Sequence, residues 1–495
     1  MIKQMRISQM ITRQKSLGSS HLWGSFAQML FGMVLLLGIL GFFIFNPTNK
    51  PFETLFLSSI VIIVGFWPLY RLIGTRKPDA IPVLVVNAAF NTISYGMAGL
   101  FDQSQDFKLI GFLSDDEQQF ALLTVIVSLL FLYIGYFIIG QNFYGNKKRW
   151  QWSFQVRPTG YLVLLVLYPF VVLIFNISIS AEIKEVVQII SVLVDYIFYL
   201  LIYGVYTRKI VGIYKYIILC IIIPYKISIS LVSGILAGVF NILVSIGIAY
   251  YAASKRIPYL MIIIAFGLIF LLQPVKREYR DNFGWNIQST ISPLEKMQVF
   301  VSLGWSYYFS ADKAEGQVSE GASRSFNRLN NLTVTAAIIA DTPKNQPFLY
   351  GDTYIPLFTK WIPRFIWPDK PLEDIGNRWA RRYGYLNADD FGTSYNLPWL
   401  PEMYMNFGII GVIAMNLLIG IILRFLSLNF WKNPRNPSEF AFGMVLGMPL
   451  MFVESNFSLM FGALFISIIT LVSICYVSAK LDYKHFVWQR KRYNN

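Results

Sequence analysis

Residues 119–140 read QFALLTVIVSLLFLYIGYFIIG, and this stretch decides the fold because it contains no charged side chain. The hydrocarbon core of a bilayer is about 30 Å thick, so a helix needs about 20 mainly apolar residues to cross it. A helix that is apolar on every face must be surrounded by lipid or by other helices. Residues 119–140 therefore predict a transmembrane helix.

The composition of the whole chain agrees with the prediction of a membrane helix. Of the 495 residues, 55% are hydrophobic and only 14% are charged, and the mean hydropathy is +0.51. Soluble domains carry roughly 25% charged residues. A soluble fold could not hide this much apolar surface, because surface area grows too quickly relative to volume. The chain is therefore predicted to be an integral membrane protein.

Eleven further apolar runs approach the length of a membrane span. They are 26–45, 53–72, 80–99, 159–179, 186–206, 212–228, 231–252, 257–273, 406–427, 438–454 and 457–478. Two of them are weak, since 80–99 contains polar residues such as Asn87 and 212–228 is interrupted at Pro224. The predicted fold class is an all-α polytopic membrane protein with about twelve transmembrane helices.

The basic residues of the short connections indicate the orientation of these helices, since Lys and Arg accumulate on the cytoplasmic side. With a cytoplasmic N-terminus, the inner connections and tails hold 24 Lys and Arg residues, and the short outer connections hold four. Both termini are thus predicted to be cytoplasmic. Because the net charge of +15 mainly sets this topology, nucleic acid is not an expected partner.

One connection, residues 274–405, is far longer than the others and lies on the predicted outer face. A structureless loop of this length would be unusual. Two apolar segments within it, 297–309 and 333–340, predict short helices packed against the bundle. The chain therefore divides into an N-terminal bundle of about nine helices (1–273), this extracytoplasmic loop, and three further helices with a basic cytoplasmic tail (406–495).

The long loop carries basic side chains interleaved with aromatic and proline residues. A guanidinium group binds phosphate oxygens with two parallel hydrogen bonds and stays charged when it is partly dehydrated. Prolines hold the backbone rigid around Arg364 and Lys370, which a merely solvated surface does not need. This pattern indicates a phosphate site at headgroup depth. The alternative for each cation is contact with lipid headgroups or a nearby carboxylate.

Glu402 lies where the loop returns to the membrane, just before Asn406. A carboxylate there is costly unless it is paired or used, and it is suited to accept a proton from a hydroxyl nucleophile. The alternative is a salt bridge to an arginine of the loop. Among the ionisable residues inside the spans, Asp195 is the deepest, whereas Lys226 and Glu454 are expected near the outer surface.

Motifs for cofactors are absent from the sequence. It contains no P-loop and no dinucleotide-binding glycine motif. The loop has neither an Asp-x-Asp motif nor a usable histidine for a metal. We therefore expect neither a cofactor nor a metal.

Two segments of the loop region resemble a known family. GDTYIPLFTKWIPRFIWPDKP at 351–371 and PEMYMNFGIIG at 401–411 resemble the Wzy-type oligosaccharide repeat-unit polymerases, which make O-antigen and exopolysaccharide. The late position of the large outer loop is similar as well. The resemblance implies a GT-C-like bundle in the bacterial cytoplasmic (inner) membrane, with the large loop outside.

The resemblance also implies a membrane glycosyltransferase. Such an enzyme moves a growing glycan from an undecaprenyl pyrophosphate carrier onto the non-reducing sugar of another lipid-linked repeat unit, with a chain-length regulator protein as a further partner. The implied catalytic residues are Glu402, Arg364 and Arg280. The implied pyrophosphate- and sugar-binding residues are Arg277, Arg328, Lys370, Trp367 and Tyr404. A ligase of finished glycan, a flippase or other transporter of repeat units, and a non-catalytic assembly subunit are the alternative functions.

Overall fold

The structure is a computed structural model in which every regular element of the described residues is a helix. The described residues are 25–45, 50–75, 78–100, 113–145, 160, 162–169, 184–283, 291–309, 329–359, 362, 366–367, 369–370, 374–473 and 476. The predicted all-helical class is therefore confirmed.

Fifteen helices of the described residues are referred to below by number. In order they are α1 (Ser25–Phe45), α2 (Phe52–Gly74), α3 (Val83–Leu100), α4 (Asp115–Tyr144), α5 (Lys184–Tyr206), α6 (Ile213–Val232), α7 (Leu236–Ser254), α8 (Tyr259–Leu272), α9 (Lys276–Phe283), α10 (Pro293–Phe309), α11 (Leu332–Asp341), α12 (Ile375–Arg382), α13 (Trp399–Trp431), α14 (Pro437–Met451) and α15 (Phe457–Ser473).

Eight of these helices, α1 to α7 and α13, are long and apolar enough to cross a membrane. Helices α8 and α9 are separated by a bend of 64° and pass the same test as a pair. Helices α14 and α15 match two predicted spans but are shorter than the roughly 20 residues of a full span. Residues 162–169 are helical, and most of the predicted span 159–179 lies outside the described residues. The number of twelve spans stays a prediction.

Helix α14 is the core helix of the bundle, since almost all of its residues are buried. A helix that is apolar on all faces must lie among other helices. It packs against α3 and α5, and Phe440 stacks on Tyr203 with ring centroids 4.1 Å apart. Asn436 caps its start, because its side-chain oxygen accepts a hydrogen bond from the Glu439 amide at 2.8 Å.

The polar residues of the weak predicted span 80–99 find partners inside the bundle. Asn87 is buried, and its side-chain amide donates to the carbonyl oxygen of Leu450 in α14 at 2.8 Å. Thr92 donates to the carbonyl oxygen of Ala88 at 2.9 Å. A membrane helix tolerates such groups when the protein itself satisfies them. Helix α3 is therefore an interior helix and does not need the hydropathy of a lipid-facing one.

Helix α6 continues past the proline that was expected to interrupt it. A π-helical segment, Ile218–Ile222, precedes Pro224, and α-helical geometry resumes at Ile223. Because proline removes an amide donor from a helix, a wider turn just before it accommodates the missing hydrogen bond. The helix runs on to Val232, so Lys226 lies further inside the span than the sequence predicted.

Helices α4 and α13 approach each other so closely that glycine is required at their contact. A Cβ atom on Gly420 of α13 would overlap the carbonyl oxygen of Leu132, and one on Gly135 of α4 would overlap that of Leu417. Small residues permit this close approach, and the helices gain van der Waals contact in return. The contact holds α13 in place, and α13 begins at the end of the long loop.

Replacing Gly420 by alanine is expected to lower the thermal unfolding midpoint of the purified protein in detergent. The added methyl group has no space, and overpacking of this kind costs typically about 1–3 kcal/mol. Gly267→Ala in α8 is the matched control, since no atom lies within 4 Å of a Cβ atom built there. Equal midpoints for the two variants would contradict the close contact.

The two short helices predicted in the long loop are present and pack against the bundle. The first is α10, which contacts α6 and α8, and the second is α11, which is buried against α4 and α13. Helix α9 is fastened to α6, because the Tyr279 hydroxyl donates to the carbonyl oxygen of Val232 at 2.8 Å. The Tyr279 ring stacks on Phe300 of α10 with centroids 4.2 Å apart.

Candidate active site

A cavity of about 710 Å³ lies among α5, α6, α7, α8, α14 and α15. One end is lined by residues beside helix ends, including Gln273, Lys276, Asn396 and Glu454. These helix ends are the ones connected to the long loop or next to it. The other end is lined by residues in the middle of membrane helices, such as Ser245. The cavity therefore extends from the loop side into the interior of the bundle.

The loop-side end of the cavity is polar. The 64° bend between α8 and α9 brings Gln273 and Lys276 to the cavity wall. On the facing side, the side-chain amide of Asn396 donates to a carboxylate oxygen of Glu454 at 3.3 Å. A cation, a carboxylate and two side-chain amides thus line the same end, which suits an anionic or hydroxyl-rich ligand.

An ion pair lies deeper in the same cavity. The Lys226 ammonium of α6 is 2.9 Å from a carboxylate oxygen of Asp195 in α5, and it lies 4.7 Å from the ring centroid of Phe198. The side chains of Lys226 and Asp195 are 20% and 42% exposed, and both line the cavity. Charges within membrane spans are costly, so an intramembrane pair that a ligand can reach is a functional candidate.

The cavity wall combines polar side chains with aromatic rings. Its further polar groups belong to Ser191, Ser230, Asn241, Ser245 and Ser467. Its rings belong to Phe198, Tyr199, Phe240, Phe266 and Phe452. Hydroxyl and amide groups can exchange hydrogen bonds with sugar hydroxyls, and the rings supply apolar contact surface. Among the described residues, no group of three or more His, Cys, Asp or Glu side chains could hold a metal ion.

Glu402 belongs to a separate, fully buried polar cluster. Its carboxylate accepts a hydrogen bond from the backbone amide of Phe457, and its other oxygen lies 3.5 Å from the Ser458 hydroxyl. Both partners are at the start of α15, where the first amides of a helix have no partner within the helix and the helix dipole favours negative charge. Glu402 is not among the described residues that line the 710 Å³ cavity.

The two segments that resemble the polymerase family meet at this cluster. The Asn406 side chain donates to the Thr353 hydroxyl at 2.7 Å and accepts from the Gly351 amide at 2.9 Å. Directly after Asn406, helix α13 is broken at Phe407 and Gly408, and Gly408 has φ +61°. Glycine adopts this conformation without steric cost. The break lets the segment around Thr353 pack against the start of α13.

Arg277 and Arg280 lie on α9, beside the loop-side end of the cavity. The Arg277 side chain is 94% exposed, and its guanidinium is 3.9 Å from the Asp281 carboxylate, so it faces solvent. Arg280 is also exposed, and its stem lies against Gly234 in the turn between α6 and α7. Lys276, one turn before Arg280, lines the cavity. Arg280 is therefore the better placed of the two predicted arginines.

The other predicted binding residues that the structure describes do not line the 710 Å³ cavity. The Lys370 ammonium donates to the carbonyl oxygen of Ile362 at 3.0 Å, and Trp367 is exposed. Tyr404 is buried in α13. Arg364 and Arg328 lie outside the described residues.

The arginines of α12 hold the loop together. Arg378 forms ion pairs at 2.9 Å with Asp352 and with Asp374. Arg381 donates to the Asn377 side chain at 2.8 Å. These contacts surround a smaller cavity of about 440 Å³. Because the guanidinium group of Arg378 is already paired with two carboxylates, it is less available to a phosphate than an unpaired arginine would be.

The structure thus brings together four charged residues that were not predicted as site residues: Lys276, Glu454, Asp195 and Lys226. One signal could have found two of them. Asp195 and Lys226 carry opposite charges inside consecutive apolar runs, which favours an ion pair within the membrane. Nothing in the sequence joins this pair to Lys276 and Glu454, because the four residues come from different helices and connections.

These features define a polytopic membrane protein whose described regular elements are all helices, with a large cavity that is polar at its loop-side end and extends inward between the membrane helices. A family model described as O-antigen polysaccharide polymerase Wzy matches residues 28–485, nearly the whole chain. The chain therefore belongs to the Wzy O-antigen polysaccharide polymerase family of inner-membrane enzymes, which polymerise lipid-linked oligosaccharide repeat units. The resemblance seen in 351–371 and 401–411 is confirmed. No curated protein and no solved structure gives a significant match.

Proposed function

We propose that this chain polymerises repeat units carried on undecaprenyl pyrophosphate, and that it does so at the outer face of the cytoplasmic membrane, in the 710 Å³ cavity. The observation that carries the proposal is the cavity itself. It joins a polar end on the side of the long loop to an intramembrane ion pair. A glycan that is attached to a lipid pyrophosphate needs a polar site beside the loop and a charged site inside the membrane, next to each other.

The proposed reaction is a substitution at the anomeric carbon of the donor glycan. A hydroxyl oxygen of the acceptor sugar forms the new bond to that carbon. The bond from the carbon to the pyrophosphate oxygen breaks, and the lipid pyrophosphate leaves with the electron pair. The hydroxyl proton passes to a carboxylate, a role suited to Glu454 at the loop-side end. Lys276 and Arg280 stabilise the negative charge that develops on the leaving group.

The deeper ion pair is proposed to bind sugar hydroxyls. The Asp195 carboxylate accepts hydrogen bonds, and the Lys226 ammonium donates them. Holding the acceptor sugar at a fixed distance from the donor supplies much of the rate enhancement in a reaction between two large substrates. Arg364 keeps its predicted catalytic role, and Arg328 keeps its predicted role of binding the pyrophosphate. For Glu402 we propose a positioning role, because its carboxylate is fully buried and accepts hydrogen bonds from the start of α15.

Filling the cavity is the direct test of this proposal. Ala463 of α15 lines the cavity, so Ala463→Trp would occupy the space of the sugars. Ala414→Trp on α13 is the matched control, since Ala414 is exposed and is not among the described cavity-lining residues. Each purified protein is incubated with a defined oligosaccharide on undecaprenyl pyrophosphate, and the products are separated by length. We expect a ladder of products from the wild type and from Ala414→Trp.

Ala463→Trp should reduce the ladder at least about tenfold, because small displacements of a bound substrate already cost large factors in rate. Its thermal unfolding midpoint should match that of Ala414→Trp, which shows that the loss is not a failure to fold. A wild-type ladder from Ala463→Trp would refute the assignment of the reaction to this cavity. A single transfer without a ladder from the wild-type protein would instead indicate a ligase.

A further inference from the structure

A further cavity, with three cations among its described lining residues, lies at the opposite ends of the membrane helices. It has a volume of about 230 Å³ and lies where α2, α4 and α13 end. Its wall includes Arg71, Thr75, Asp79, Tyr136, Arg424 and Lys432. The accumulation of Lys and Arg at these helix ends predicts that this face is cytoplasmic. The cavity is therefore separated from the proposed polymerisation site by the length of the membrane helices.

The two guanidinium groups in this cavity are held in place without being neutralised. Arg71 lies over the rings of Trp67 and Phe137, with its guanidinium carbon 5.5 Å and 4.6 Å from the ring centroids. Arg424 donates from Nε to the side-chain oxygen of Gln141 at 3.0 Å. Rings and a neutral amide fix the positions of cations but leave their charge available to an anion.

The charges that line this cavity do not balance. The ion pairs of the described residues include neither Arg71 nor Arg424 nor Lys432. Asp79 supplies the one carboxylate among the described lining residues, and it accepts a hydrogen bond from the Ser427 hydroxyl at 2.6 Å. Burial raises the pKa of the Asp79 carboxyl, although its hydrogen bonds and the nearby cations act in the opposite direction. Three cations thus face at most one negative charge.

We propose that this cavity binds a phosphate anion at the cytoplasmic face. Guanidinium groups match phosphate oxygens in geometry, and the Lys432 ammonium adds a further donor. A water molecule takes up roughly 30 Å³ of liquid, so the cavity has room for a phosphate group. This group is found in anionic phospholipid headgroups and in soluble phosphate esters, and the experiment below separates the two sources. The site goes beyond the polymerisation reaction and does not depend on it.

The test compares ligand retention by native mass spectrometry of the purified full-length protein. The probes are phosphatidylglycerol, phosphatidylcholine, which has no net charge, and inorganic pyrophosphate, each added separately. The test variant Arg71→Gln/Lys432→Gln removes two charges, and neither side chain donates a hydrogen bond within the described part of the chain. The matched control Arg208→Gln/Lys209→Gln removes two exposed charges from the α5–α6 turn on the same predicted face.

If the source is lipid, the wild type and the control should retain phosphatidylglycerol at least about tenfold better than phosphatidylcholine. Each charge contact is worth roughly 1 kcal/mol, so the two contacts that the test variant lacks correspond to more than tenfold in retention. The test variant should lose this preference. If the wild type retains pyrophosphate and the test variant does not, this result supports the same site, with a soluble source of the phosphate group. Equal retention of every probe by the test variant and the wild type would overturn the proposal.

Discussion

Replacing Lys226 by methionine is expected to abolish polymer formation and to lower the thermal unfolding midpoint. Methionine keeps the apolar length of the side chain but removes the ammonium, so the Asp195 carboxylate loses its partner at 2.9 Å. Removing one partner of a fully buried ion pair costs about 3–5 kcal/mol. Because both side chains are partly exposed in the cavity, we expect a smaller loss here, roughly 1–3 kcal/mol.

The double variant Asp195→Leu/Lys226→Met separates a structural role of this pair from a functional one. Replacing an ion pair by apolar residues of similar volume is often neutral or stabilising. The unfolding midpoint of the double variant should therefore return close to the wild-type value. Polymer formation should stay absent, because the double variant lacks the two groups that are proposed to hydrogen-bond the sugar hydroxyls.

The measurement pairs a thermal unfolding curve with the product ladder for each single variant and for the double variant. Lys209→Met is the control, since it removes one exposed ammonium from the turn between α5 and α6. It should leave both readings at wild-type values. A double variant that regains both its midpoint and its ladder would show that the pair serves stability alone.

Hydropathy predicted the lipid-facing helices well and the interior ones less well. Helices such as α4 and α13 must satisfy the bilayer, so their length and composition are visible in the sequence. Helix α14 is surrounded by protein, so it can be shorter than a membrane span. Helix α3 can carry Asn87 because Leu450 supplies an acceptor from a distant part of the chain. Contacts of that kind are not encoded in local composition.

The candidate site shows a sharper limit of sequence reasoning. The arginine and proline pattern of the long loop pointed to residues such as Lys370, whose ammonium donates to the carbonyl oxygen of Ile362. The cavity instead collects Lys276, Glu454, Asp195 and Lys226, whose proximity depends on the packing of several helices. Sequence spacing predicts which residues share one helix face, but it does not predict which helices surround a cavity.

Glu402→Ala is expected to abolish polymer formation together with a large part of the stability. The variant leaves the buried amide of Phe457 without an acceptor, and a buried unsatisfied donor costs about 1–3 kcal/mol. It also removes the group that joins the start of α13 to the start of α15. Those two helix starts lie next to the connection that carries Glu454, since the Trp399 amide donates to the carbonyl oxygen of Val453 at 3.2 Å.

Glu402→Gln distinguishes a positioning role from a catalytic one. The glutamine carbonyl oxygen can still accept from the Phe457 amide, and its NH₂ group can donate to the Ser458 hydroxyl. If Glu402 positions α13 against α15, this variant should retain polymer formation to within a few-fold and should keep most of the stability. If Glu402 is the general base that the sequence suggested, the amide cannot accept the proton, and the rate should fall by about 10²–10⁴.

Ser458→Ala completes this series, because it removes one neighbour of the carboxylate together with the hydrogen bond from the Ser458 hydroxyl to the carbonyl oxygen of Thr353. In the positioning role, the loss of activity should follow the loss of stability across the three variants, with Glu402→Ala lowest, Ser458→Ala intermediate and Glu402→Gln nearest to the wild type. The unfolding midpoint and the initial rate of ladder formation are measured on the same preparations. A Glu402→Gln protein that melts like the wild type but forms no polymer would overturn the positioning role and restore Glu402 as the base.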